Sequence, residues 1–222
     1  MRKNLSALSG TRSPEVKKRR VNIMTKSLAI EREFGSGGRE IGKMVSEMAG
    51  IPYYDGNLMV KVAKEKGISL DLLKEYDEKN TGSFLYNIAL FASYNQGGNQ
   101  SKIYELYYEV QKAIKDLAKS GPAVFVGRCS TEILKEDSKA VSVYIYSSDQ
   151  AKRIDRIMRT ESVTEAEAKK MLERKDRQRS DYFKYWTEKN WKDRSNYDME
   201  LNTSTLSSEE CARILLRAMG VD

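Results

Sequence analysis

Ser27-Leu28-Ala29-Ile30 leads through Gly35-Ser36-Gly37-Gly38 into Arg39-Glu40-Ile41-Gly42, and the reading of this stretch decides the fold. Its first four residues make a short apolar run, the pattern of a buried strand. Beyond the glycines, Ile41, Met44, Val45, Met48 and Ala49 recur at i, i+3, i+4, i+7 and i+8. That spacing is one face of a helix, which Gly50 closes. Three glycines in four residues let the backbone turn with positive φ and aim several N–H groups inward. The helix behind them adds the positive end of its dipole. Strand, glycine loop and helix N-terminus in this order predict a phosphate cradle; the alternative is a tight turn with no ligand.

The alternation continues down the chain. Ile51 to Tyr54 reads as a second strand closed by Asp55, and residues 57–100 read as helical and polar. Ile103, Leu106, Tyr107, Val110, Ile114 and Leu117 mark a long helix stopped by Gly121-Pro122. Ala123-Val124-Phe125-Val126 is apolar throughout between breakers, as a buried parallel strand is. Ala140 to Tyr146 reads as another strand, leading to a helix that opens near Ser148-Asp149. Thr164 with Glu167, and Ser207 with Glu210, are capping-box pairs that open two more helices, with the strand Met199–Asn202 between them. Five strands separated by helices predict an α/β fold: a doubly wound, five-stranded parallel sheet flanked by helices.

Composition narrows the chemistry. The 222 residues contain no histidine, which excludes Ser-His-Asp, Cys-His and histidine–metal mechanisms. Cys129 and Cys211 are too few and too far apart for a zinc site or a disulfide framework, so a reducing cytoplasm fits best. No apolar run approaches the roughly 20 residues of a membrane-spanning helix. The net charge of +7 lies in one place: residues 1–26 hold eight basic side chains and one acid, leaving 31 of each sign in 27–222. The leader, with no hydrophobic period, reads as a disordered basic extension. Its Arg- and Ser-rich composition also partly resembles an organellar transit peptide or a polybasic arm. Met24 offers a second point for translation to begin. Residues 27–222 read as one domain.

The loop departs from the Walker A pattern G-x-x-x-x-G-K-[ST]. With Gly37 at the last motif glycine, Gly38 stands where lysine belongs, Glu40 lies near the place of the hydroxyl, and Arg32 replaces the first glycine. The phosphate-neutralising cation must then come from Arg39, Lys43, Arg32 or elsewhere. Glu40 reads as an acid favoured by the helix N-terminus, with magnesium binding as its alternative.

Arg32 to Gly42 is followed in order by Gly50-Ile51-Pro52-Tyr53-Tyr54-Asp55, Val126-Gly127-Arg128-Cys129, Asp176-Arg177-Gln178-Arg179 and Tyr197-Asp198…Asn202-Thr203-Ser204. Together they resemble the cytidylate kinase-like family of P-loop proteins, relatives of the nucleoside monophosphate kinases, over residues 27–220. The resemblance implies transfer of the ATP γ-phosphoryl group, with Mg2+, to a nucleoside monophosphate, CMP and dCMP first among them. It implies donor binding by Gly35, Ser36, Gly37, Gly38, Arg39 and Glu40. It implies acceptor binding by Asp55, Lys61 and Arg128, with 57–100 as a helical acceptor-binding insertion. Lys61 stands where CMP kinases carry an arginine, and Val126 and Cys129 stand where they carry aspartates.

The stretch 152–194 holds fourteen basic residues against nine acids, and Arg153 and Arg156 share one helical side. Within it, Arg174, Asp176, Arg177 and Arg179 resemble an arginine-rich lid, 160–196, that closes over the transferring phosphates. Together with Arg39 these are the expected catalytic residues; Asp176 would orient one of the arginines or a magnesium-bound water. The aromatics Tyr182, Phe183, Tyr185, Trp186 and Trp191 read as a small satellite core before a base-stacking platform. Two other functions remain open: an inactive nucleotide- or phosphate-binding module on the same fold, and a nucleic-acid-associated protein using the basic leader. The neutral body makes nucleic acid the weaker partner.

Overall fold

The structure, a computed structural model, describes residues 25–56 and 100–221. The readings for the leader as far as Met24, for 57–99 and for Lys61 lie outside the described residues. The elements are β1 (Ser27–Arg32), α1 (Gly38–Ala49), β2 (Tyr53–Tyr54), α2 (Gln100–Ser120), β3 (Val124–Val126), α3 (Ser130–Ile133) and β4 (Ala140–Tyr146). They continue with α4 (Gln150–Glu161), α5 (Glu165–Thr187), a 3-10 turn (Arg194–Asn196), β5 (Met199–Asn202) and α6 (Ser208–Met219). Both capping boxes form: the Thr164 and Ser207 hydroxyls accept from the backbone N–H of Glu167 and Glu210, whose carboxylates reach back. Asp149 caps α4 by accepting from the Lys152 N–H.

The five strands form one parallel sheet in the order β2-β3-β1-β4-β5, as the alternation of elements requires. Strand β1 is central, and its side chains alternate between two cores. Leu28 and Ile30 pack on one face with Ile41 and Val45 of α1 and with Cys211, Leu215 and Met219 of α6. Ala29 packs on the other with Tyr107, Val110 and Ile114 of α2, Phe125 and Leu134. The connection after β1 thus leaves to one face of the sheet and that after β3 to the other. The crevice between the C-terminal ends of these two neighbouring strands is the place where such sheets bind ligands.

Three readings change in detail. Met48, on the predicted apolar face of α1, is 45% exposed in the helix's last turn. The aromatics at 182–191 are no satellite: Tyr182, Phe183 and Trp191 are buried in the main core on the α2 face. Trp186 stacks on Tyr107 with ring centroids 3.6 Å apart. They are held there because α5 runs unbroken for 23 residues and brings its last turns back over the sheet. Strand β1 also continues two residues beyond its apolar run, because Glu31 and Arg32 still pair with β4. This extension carries charge into the crevice.

Candidate phosphate and nucleotide site

The loop from Glu33 to Gly37 is fastened at its start and open at its end. The Glu33 N–H donates to Ile145 O at 3.0 Å, and the Ser36 hydroxyl turns back to Glu33 O at 2.9 Å. Gly35 and Gly37 sit at φ 77° and 86°, the left-handed region that side chains resist. Gly37 is the N-cap of α1, and no side chain caps this helix. The first N–H groups of α1 therefore face the crevice with the helix dipole behind them, a site for an anion.

A buried ion network holds α4 and α5 against this loop. Arg153 of α4 pairs with Glu33 at 3.1 Å, donates through Nε to Phe34 O at 2.8 Å, and pairs with Asp176 of α5. Asp176 also accepts from the Phe34 N–H at 2.7 Å. The Arg153 and Glu33 side chains are each 8% exposed, so burial demands this pairing. Lys192 reaches the second Glu33 oxygen at 3.1 Å and ties down the segment after α5. Arg156, one turn beyond Arg153, lies over the loop: a Cβ on Gly37 would stand 2.7 Å from its Nη1. It pairs there with Glu40.

Across the crevice, Gly127, Arg128 and Cys129 all have left-handed φ, at 78°, 64° and 55°. Two successive non-glycine residues in that region mark backbone strain of the kind that gathers at functional sites. The strained turn sends the Arg128 guanidinium toward the loop after β2, where a Cβ on Gly56 would lie 2.6 Å from Nη2. Arg39, 65% exposed at its side chain, turns to Asp55 at 2.8 Å. Asp55, Arg39 and Arg128 thus form one wall of the crevice. Arg179 donates to Arg32 O at 2.9 Å from the opposite side. Desolvation, and after it the Arg32 guanidinium, pull Arg179 down to about 9. Burial, with Arg32 again contributing, also pulls Arg128 below the usual arginine range. Cations crowded in this way are relieved by an incoming anion.

Of the expected site residues, the structure brings together the glycines and Ser36, Glu40, Asp176 and Arg179 at the loop, with Asp55, Arg39 and Arg128 opposite. Asp176 accepts from Arg153 of α4, and its charge also acts on Arg179 of its own helix. Arg174 is half-buried and Arg177 exposed on α5. The readings made from the sequence omitted Glu31, and Glu33 entered only within a motif. Glu31 follows Ala29 on the same face of β1 and Glu33 lies just past the strand, both buried, so these acids must find buried partners. Glu31 is 4% exposed, and desolvation raises its carboxyl above the ordinary value although Arg32, Trp191 and Arg179 oppose this. A raised folded-state value means that the native chain holds this proton more tightly than the unfolded chain. Stability from Glu31 is then present below 4.5 and lost as pH rises through the folded value. Relative to the wild type, Glu31→Gln is expected to gain stability as urea titrations move from below pH 4.5 toward neutrality. A difference that does not change with pH contradicts the assignment.

At the far end of the crevice, Asn202 Oδ1 accepts from the Ser148 and Ser204 N–H groups at 3.1 and 3.0 Å. Lys152 Nζ donates to Ser204 O at 2.8 Å. This joins the end of β5 to the start of α4. Among the described residues, no three Asp, Glu, Cys or His side chains gather to hold a metal. Glu40 is the acid on the first turn of α1, which suits an ion such as magnesium that keeps its waters and binds one carboxylate beside substrate phosphates. Among the described residues, no helix is long and apolar enough to cross a membrane.

A glycine loop between β1 and α1, an uncapped helix and a 2-3-1-4-5 parallel sheet define an α/β domain of the P-loop kinase type. The cytidylate kinase-like family matches residues 27–205, and the chain belongs to it. Cytidylate kinase of Methanococcus aeolicus is 24% identical over 193 residues, covering 83% of this chain and 92% of that protein. Cytidylate kinase of Methanothrix thermoacetophila is 25% identical over 189 residues with the same coverage. Among solved structures, an uncharacterized protein from Eubacterium ventriosum superposes with a TM-score of 0.67 at 24% identity, covering 89% of this chain and 99% of that one. That likeness concerns the fold.

Proposed function

We propose that this protein transfers the γ-phosphoryl group of ATP to a nucleoside monophosphate, with CMP and dCMP the first acceptors to test. The observation that carries the reading is one crevice with an uncapped helix N-terminus on one wall and an arginine on the other, both suited to anions. One wall is the uncapped N-terminus of α1 behind the Gly35–Gly38 loop, and the other is Arg128 on its strained turn. Two walls suit two phosphate-bearing substrates held end to end, the positioning on which phosphoryl transfer depends. The family assignment and the cytidylate kinase relatives support the choice of acceptor.

In this reading the loop N–H groups hold the donor phosphates, and Arg128 holds the acceptor phosphate through its two-pronged guanidinium. An acceptor phosphate oxygen attacks the γ-phosphorus, the bond to the β-phosphate oxygen breaks, and ADP leaves. Arg179, from the lid helix, and Arg39 face the crevice from either side and neutralise charge on the transferring group. Arg174 and Arg177, on the same helix as Arg179, are the further lid arginines of this reading. Asp176 keeps Arg153 and the loop in register. Glu40, now paired with Arg156, is the carboxylate that would meet the waters of a magnesium ion carried by ATP, and that ion would supply charge neutralisation to the phosphates.

The absence of a lysine at position 38 favours a second reading, a nucleotide-binding module without turnover. A bisubstrate compound, adenosine joined to cytidine through five phosphates, separates one site from two. It is expected to bind at least tenfold more tightly than ATP and to displace both ATP and CMP in competition titrations. Displacement of ATP alone, with an affinity equal to that of ATP, favours the module.

A further inference from the structure

We propose that Arg32 is the phosphate-binding cation of the glycine loop, entering from the end of β1 the space that a lysine at position 38 would occupy. The proposal rests on the donor-site reading above and names the group that completes that site.

The steric record is written in two glycines. Gly38 is the first residue of α1, and its φ is not positive, so its backbone does not require glycine. Space does: a Cβ there would stand 2.6 Å from Arg32 Cβ and 3.0 Å from Arg32 Cγ. No side chain at 38, lysine included, coexists with the Arg32 stem in this position. At the far end of the same side chain, a Cβ on Gly127 would collide with Nη1 and lie 3.1 Å from Cζ. The arginine crosses from the loop wall of the crevice to the β3 wall; the left-handed φ at 127 already calls for glycine there, so Gly38 is the glycine that the Arg32 stem alone explains.

Electrostatics agree with the packing. Arg32 Nε is buried with no hydrogen-bond partner, a costly arrangement for a charged donor without a ligand. Its pairing with Glu31 is long, at 3.6 Å, and the side chain remains 20% exposed. Arg179 fixes the Arg32 carbonyl, so the backbone from which the side chain springs is held. Arg156 also stands over the loop, but on a separate helix and in an ion pair with Glu40. Arg32 is anchored in the central strand, the more rigid base for a group that must stay in register with phosphates.

The test is calorimetric titration of the full chain with ATP and with inorganic tripolyphosphate, which needs no turnover. Arg32→Gln is expected to weaken both at least tenfold while the thermal unfolding transition stays cooperative. The double variant R32G/G38K moves the cation to the Walker position and clears its path. It is expected to recover affinity to within about threefold of wild type, whereas G38K alone clashes with Arg32 and loses binding. A structural role for Arg32 would not be rescued by a lysine at another position. Arg32→Gln that binds like wild type overturns the proposal, as does a double variant that fails to fold or binds no better than Arg32→Gln. Should Arg32→Gln not fold, the double variant decides by the same criterion. A wild-type chain that binds neither ligand overturns the donor-site reading itself, a distinct result.

Discussion

Arg153→Met is expected to lower the free energy of unfolding by about 3–5 kcal/mol, the cost of removing one partner from a buried ion pair. Methionine keeps most of the stem volume, so the loss falls on the charges. Glu33 would retain Lys192 and the Ser147 N–H, and Asp176 would retain the Phe34 N–H. Neither set replaces a guanidinium that meets both carboxylates and the Phe34 carbonyl at once. The same change frees α5 from the loop, so faster hydrogen exchange in 165–180 should accompany the lower stability. Urea titration measures the first effect. A loss below about 1 kcal/mol would mean that the network is no stronger than a surface pair.

Arg128→Lys is expected to reduce kcat/KM for the acceptor by about 100-fold, while affinity for ATP changes less than threefold. The guanidinium offers two parallel donors to a phosphate, and an ammonium offers a point charge. Losing one charge-assisted bond of this kind costs about 2–3 kcal/mol, the size of that effect. The backbone penalty at φ 64° is shared by both residues, so the substitution isolates the side chain's chemistry. Steady-state kinetics with each substrate varied in turn gives the split. An equal fall in apparent affinity for both substrates would place Arg128 at the donor phosphates instead.

Much of the architecture is local in origin and therefore legible in the sequence. Ala140–Tyr146 and Met199–Asn202 form as strands, and the Thr164 and Ser207 caps form as boxes, because each depends on residues within a few positions. The glycine turn between β1 and α1 is legible for the same reason. Partners across the fold are not. Arg153 and Asp176 meet the loop only because β4 lies beside β1, and Arg39 turns to Asp55 because β2 ends opposite α1. Pattern and charge place each of these groups on an element, but they do not say which element it will face. The aromatic segment 182–191 shows the same limit. Its cluster is evident in sequence, whereas its place in the main core follows from the length and direction of α5.

The reading of residues 27–222 as a phosphoryl-transfer domain stands or falls on one measurement. The full chain is incubated with γ-labelled ATP, magnesium and each of CMP, dCMP, UMP, AMP and GMP, and the products are separated. The account predicts that label leaves ATP and appears in a nucleoside diphosphate, with CMP or dCMP among the acceptors used, and that ADP forms in equal amount. Label that stays in ATP with every acceptor, in samples that bind ATP by calorimetry, would contradict it and leave a nucleotide-binding module.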